Sequence, residues 1–121
     1  MERTPSDTDE REHPARVTSE ADLDQFVESH DRTLLMLYTD GCGICASMEP
    51  VVSNVSRETG VSLVFANARE DPPLIERFDV RSVPTLVLFV GGEVVARLAD
   101  GFVPGEELTA WIDEHTSQSA T

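Results

Sequence analysis

Residues 33–45 read TLLMLYTDGCGIC. Thr33–Thr39 is a continuous run with the pattern of a β-strand buried on both faces. From about Gly43 the period changes: Met48, Val51, Val52 and Val55 fall on one helical face, and Gly60 is well placed to end the helix. The chain's only two cysteines, Cys42 and Cys45, stand where the strand hands over to the helix.

Outward from that junction the elements alternate in type. Ala15–Val17 reads as a short edge strand, and Thr18 or Ser19 can cap a helix with Glu20, Asp22 and Asp24 near its positive end. Leu23, Phe26, Val27 and His30 share one face of it. Downstream, Val61–Asn67 is β-rich, and Pro72–Phe78 is a short helix with proline at its start, where a missing N–H costs nothing. Thr85–Val90 and Glu93–Leu98 are strands joined by Gly91-Gly92, a hairpin signal. A last helix runs from about Pro104 to Thr116, with Leu108, Trp111, Ile112 and His115 spaced helically. The order (β)αβαβαββα predicts an α/β fold: a central mixed sheet with right-handed crossovers, a closing antiparallel hairpin, and helices on both faces. Residues 1–14 and 117–121 are polar and aperiodic, and are expected to be disordered tails around one domain, 15–116.

The position of the cysteines has chemical consequences. A helix N-terminus presents unpaired N–H groups and about half a positive charge. A thiol placed there ionises more readily, and the thiolate is the attacking species in disulfide exchange. Cys42, first in the turn, is the expected nucleophile. Cys45, one turn inside, is the expected resolving thiol. Three other readings compete. A structural disulfide would close a ring of about four residues, where the loop-entropy gain is small. A metal site needs two more ligands, and there are no other cysteines; His13 lies in the tail, while His30 and His115 end amphipathic helices. Chance is the third, since an isolated CxxC is a weak signal, but one at a strand-to-helix junction in a βαβ pattern points to redox chemistry.

Composition narrows the function classes. The 121 residues hold 23 acidic side chains against 9 arginines and no lysine, for a formal charge of −14. Such a surface repels phosphate, which disfavours nucleic acid and anionic membranes as partners. Self-repulsion of this size destabilises a compact state, and strong salt relieves it. The acid-rich, lysine-free composition resembles proteins of salt-in halophiles, and a halophilic archaeon is the expected source. An ordinary acidic protein whose lysines became arginines is the alternative. The opening MERTPSDTDEREHP holds no apolar run, so a cytoplasmic location is expected.

Several separated features together resemble the thioredoxin family over about residues 15–116. Cys42-Gly43-Ile44-Cys45 matches the family's CGPC at three of four positions. Pro50 matches the proline of its active-site helix. Ser82-Val83-Pro84-Thr85 matches the loop whose proline is cis and faces the cysteines. Gly91-Gly92-Glu93 and Gly101 match the last hairpin and the glycine after it. The resemblance implies a protein-disulfide reductase that needs no bound cofactor and acts through a reversible Cys42–Cys45 dithiol/disulfide. It implies a cis Val83–Pro84 bond and a client-binding surface of Gly41, Gly43, Ile44, Val83 and Pro84. Its partners would be client proteins with disulfides and, as electron donor, a thioredoxin-reductase-like flavoprotein or a low-molecular-weight thiol. A monomer is expected.

The chain departs from the family in four places. Gly41 stands where tryptophan usually precedes the first cysteine. Met36 and Phe65 occupy the positions of a buried aspartate and its lysine. Ile44 replaces the proline between the cysteines, which predicts a less reducing couple. These departures motivate a second reading, a binding or redox-sensing module with little turnover. Asp40 and Glu49 lie near the cysteines in sequence and are expected to be solvated surface acids.

Overall fold

The computed structural model describes the backbone of residues 15–120; the amino-terminal tail expected over 1–14 lies outside the described residues. The strands are β1 (Ala15–Val17), β2 (Arg32–Tyr38), β3 (Ser62–Asn67), β4 (Thr85–Val90) and β5 (Glu93–Leu98). The helices are α1 (Glu20–Glu28), α2 (Gly43–Thr59), α3 (Pro72–Arg77) and α4 (Gly105–Ala120). The strands form one sheet in the order β1-β3-β2-β4-β5.

The run at 33–39 behaves as its pattern predicts. Leu34, Leu35, Met36 and Leu37 are all 0% exposed. Alternate residues serve opposite faces, as a period of two requires. Leu34 and Met36 join Leu63, Phe65, Leu86 and Leu88 under α2 and α4. Leu35 and Leu37 join Val64, Ala66, Val87 and Phe89 under α1 and α3. The two cores hold the sheet between them.

β1, β3 and β2 are parallel, but β4 pairs antiparallel with β2, and β5 antiparallel with β4. The reversal therefore comes one strand earlier than the alternating pattern implies. The physical reason is α3. Its six residues rise only about 9 Å, too little to carry the chain back to the far edge of the sheet for a parallel entry. The segment 68–84 stays at the end of the sheet where β3 finishes, and β4 starts there. This end also receives the carboxyl end of β2 and, after the hairpin, that of β5.

The helix ends follow their local chemistry. Ser19 caps α1, its Oγ accepting the Asp22 N–H at 3.1 Å. Gly60 closes α2 with φ +83, a left-handed conformation that glycine adopts freely, and its N–H donates to the Ser56 carbonyl at 2.9 Å. Gly91 and Gly92 both have positive φ, as a two-residue hairpin loop between Val90 and Glu93 requires. α4 passes the expected stop at Thr116 and reaches Ala120, because no glycine or proline lies between Glu106 and Ala120.

Arginine works here mainly as a clasp. Arg32 Nη2 donates to the Thr59 carbonyl at the end of α2 (2.6 Å). Arg97 Nη1 donates to the Phe78 and Asp79 carbonyls at the end of α3 (2.7 and 3.0 Å). Arg16 donates to the Tyr38 hydroxyl (2.9 Å) and lies over the Tyr38 and Phe65 rings. Among the described residues, arginine ion pairs form only from Arg77 to Glu20 and Asp24 and from Arg81 to Asp79. Most acids among the described residues thus have no arginine partner.

One acid is buried. Asp71 precedes α3, is 6% exposed, makes no side-chain cap, and leaves Oδ2 without a partner. Burial pushes its carboxyl pKa up, and the nearby acids Glu20 and Asp22 push it the same way. A carboxyl with a folded-state pKa above its unfolded one loses stability as pH rises through that interval, so the cost is fully present at pH 7. Asp71→Asn is expected to raise the melting temperature at pH 7 by a few degrees, the size of about 1 kcal/mol in a small domain. That gain should shrink as the pH is lowered through the carboxylate range. Thermal melts of both proteins from pH 7 to pH 3 check this, and an equal difference at every pH would contradict it.

Candidate redox site

The cysteines sit at the start of α2, at the end of the sheet where β2 finishes. Cys42 is the N-cap residue, with extended backbone (φ −90, ψ 108). Its Sγ accepts the Cys45 backbone N–H at 3.0 Å, so sulfur occupies the place that a serine or aspartate oxygen usually takes. The sulfur therefore faces the unpaired N–H groups and positive end of a 17-residue helix. That environment favours thiolate over thiol. Cys42 and Cys45 form a disulfide, with Cα atoms 5.2 Å apart.

The two sulfurs differ in access. Cys42 is half-buried, whereas Cys45 is 2% exposed and packed in the core with Met36, Met48, Phe65 and Val103. Gly41, Gly43 and Ile44 are exposed around Cys42. Gly41 has φ +79, so the turn before Cys42 carries no side chain over the sulfur. The Val83–Pro84 peptide is cis, and the Val83 carbonyl oxygen lies 3.9 Å from Cys42 Sγ. Thr85 Oγ1 donates to the Ser82 carbonyl at 2.7 Å and ties this loop together. Val83 is half-buried and Pro84 buried, so Val83 offers its backbone while Pro84 underlies it.

The interior behind Cys45 is apolar. Met36 and Phe65 are cross-strand partners, 0% and 2% exposed, in the same core as Cys45. Asp71 is the one buried acid among the described residues, and α3, which follows it, packs on the other face of the sheet. Asp40 is exposed and accepts from Asn67 Nδ2 at 3.5 Å; Glu49 is half-buried. Among the described residues, no buried carboxylate lies in the core that holds Cys45.

One residue at this end escaped the sequence reading. Phe102, in the loop between β5 and α4, is 50% exposed. Its only signal in the sequence is an aromatic within the glycine- and proline-bearing loop stretch Ala99–Gly105.

Comparison with known proteins turns this geometry into an assignment. The thioredoxin family profile matches residues 14–114. The chain belongs to the thioredoxin family. A thioredoxin from Allochromatium vinosum is 34% identical over 101 residues, covering 82% of this chain and 94% of the relative. A thioredoxin from Chlamydia pneumoniae is 32% identical over 83% of this chain and 97% of its own. The structure of a mutant thioredoxin from Halobacterium salinarum superposes with a TM-score of 0.80 at 33% identity, covering 85% of this chain and 90% of the other. As a thioredoxin-family member the chain is a thiol–disulfide oxidoreductase. Such a protein acts on disulfide-containing clients and is restored by a reductase or a thiol donor. Among the described residues no helix is long and apolar enough to cross a membrane.

Proposed function

We propose that Cys42 is the attacking thiol of a protein-disulfide reductase and Cys45 its resolving partner. What supports this most directly is the 3.0 Å contact from the Cys45 N–H to Cys42 Sγ, on the more accessible of the two sulfurs. The Cys42 thiolate attacks one sulfur of a client disulfide, forming a mixed disulfide and releasing a client thiolate. Cys45, deprotonated, then attacks Cys42 Sγ, forms the Cys42–Cys45 disulfide and releases the second client thiolate. Two electrons pass to the client, and its thiolates take up two protons. Val83 offers backbone to an extended client segment, and Gly41, Gly43, Ile44 and Pro84 complete the contact surface. The working unit is residues 15–116, a monomer of a halophile's cytoplasm, and a flavoprotein reductase or a low-molecular-weight thiol restores the dithiol.

Ile44 sets this couple apart from a CGPC site. It is the second residue of α2, and unlike proline it carries a backbone N–H at the helix start. One more donor near Cys42 stabilises the thiolate, hence the reduced form, and a stabilised reduced form makes a weaker reductant. Equilibration with glutathione in molar KCl should place the potential above about −270 mV, the thioredoxin reference. A value at or below that reference contradicts the Ile44 argument.

The apolar Met36–Phe65 pair favours a second reading, a sensing module that changes redox state with little turnover. Steady-state disulfide reduction coupled to a thioredoxin reductase separates the two. Sustained turnover supports the enzyme, and a single stoichiometric exchange supports the sensor.

A further inference from the structure

We infer that Arg16 is a charge held behind the resolving thiol: its guanidinium stabilises the Cys45 thiolate across the aromatic wall of the core. This rests on Cys45 being the resolving sulfur. The register of the sheet places the charge. Arg16 pairs with Phe65, Phe65 with Met36, and Met36 with Leu86. Side chains paired across neighbouring strands leave the sheet on the same face. Phe65, Met36 and Leu86 all belong to the core that holds Cys45, so this row lies on the Cys45 face. Arg16 is its outermost member, on the edge strand β1. Two strand spacings, about 10 Å, separate its backbone from that of Met36.

An arginine on an edge strand is free to turn into solvent, but this one turns inward. Its Cζ lies 5.1 Å from the centre of the Phe65 ring and 5.5 Å from that of Tyr38. Its Nη1 donates to the Tyr38 hydroxyl at 2.9 Å. The two rings meet edge to face at 6.1 Å, and each attracts the cation. Three contacts therefore pin one positive charge at the back of the wall. Among the described residues Arg77 also lies over a ring, that of Phe78, but Phe78 belongs to the core on the opposite face. Arg69 and Arg81 are exposed in the loops at the cysteine end, and Arg81 turns to Asp79. Asp40 and Glu49, the acids nearest the cysteines in sequence, oppose a thiolate. Cys45 is 2% exposed among apolar side chains, where an anion is costly and counter-ions do not reach. Arg16 touches neither sulfur nor client and acts by its field. Two unit charges about 10 Å apart across a protein interior change an ionisation equilibrium by about tenfold. A thiol that ionises more easily is also a weaker nucleophile, which leaves about threefold in the rate of attack.

The experiment mixes the reduced full chain with dithiodipyridine in molar KCl at pH 7 and follows thiopyridone release by stopped flow. The reagent is uncharged, so a change of protein charge does not alter the encounter. The Cys42 thiolate attacks one sulfur of the reagent and releases the first thiopyridone. The Cys45 thiolate then attacks Cys42 Sγ, closes the Cys42–Cys45 disulfide and releases the second; each leaving group takes up a proton. In Arg16→Gln the second release should be about threefold slower and the first unchanged. Arg16→Lys, which keeps a charge on this side chain, should retain most of the wild-type rate. Arg57→Gln, which removes the same charge from the last turn of α2, should retain all of it. Arg16→Met serves in place of the glutamine variant if that variant melts early. Molar salt confines surface fields to about 3 Å, so a difference that persists there travels through the core. An unchanged second release without the Arg16 charge, an equal loss in Arg16→Lys, or an equal loss in Arg57→Gln overturns the inference. A wild-type chain that releases one thiopyridone and stops overturns the assignment of Cys45 as the resolving thiol and this inference with it.

Discussion

Cys42→Ser is expected to bring disulfide reduction to the uncatalysed background, a loss of about 10⁴-fold or more, the scale seen when an enzyme loses its nucleophile. A serine hydroxyl at the N-cap accepts the same N–H, so the helix should start as before and the fold persist. What disappears is a thiolate-forming group that can bond to a client sulfur. Cys45→Ser separates the two steps. Cys42 can still attack, but nothing displaces the client, so a covalent complex should accumulate. Cys45 is 2% exposed, and a buried hydroxyl without a partner costs about 1–3 kcal/mol. Cys45→Ala gives the same trap without that cost. Non-reducing electrophoresis and mass spectrometry of the wild type and the three variants with a disulfide-bonded client check both outcomes. Turnover that survived Cys42→Ser would end the proposed division of labour, and a complex trapped through Cys45 would reverse it.

The melting temperature is expected to climb by more than about 5 °C between 0.1 M and molar KCl, equivalent to about 1 kcal/mol in a domain of this size. The sequence carries a formal charge of −14. Local pairing relieves little of it, since the arginine ion pairs of the described residues involve only Arg77 and Arg81. Arg16, Arg32 and Arg97 spend their donors on hydroxyl or carbonyl oxygens instead. Surface carboxylates therefore repel one another until ions screen them, and the screening length falls from about 10 Å at 0.1 M to about 3 Å at 1 M. Calorimetric melts across a KCl series measure this directly. A flat melting temperature would refute the halophile proposal and leave the redox chemistry untouched.

Much of this was legible because the signals are local. The run at 33–39 needed two covered faces, and it has them. Cys42 needed a helix start, and it supplies the cap. Met36 and Phe65 stand where the resemblance implies a buried aspartate and lysine, and they are cross-strand partners in the core that holds Cys45. What stayed hidden depends on distant parts of the chain. No residue of β4 announces its direction; the shortness of α3 decides it, together with the pairing to β2. Asp71 stands before the prolines that start α3, and its side chain neither caps that helix nor gives Oδ2 a partner. The exposure of Phe102 follows from where β5 ends, which only the assembled sheet determines.

The chain's single tryptophan, Trp111, lies on α4, and its ring has the His115 imidazole as a neighbour at 5.5 Å between centroids. With Gly41 before Cys42, no indole stands next to the disulfide in sequence. Trp111 packs against the core that also holds Cys45, so intrinsic emission from this protein reads the α4 side of that core and its imidazole neighbour. A reporter of the sulfur bridge itself is better carried on a labelled client.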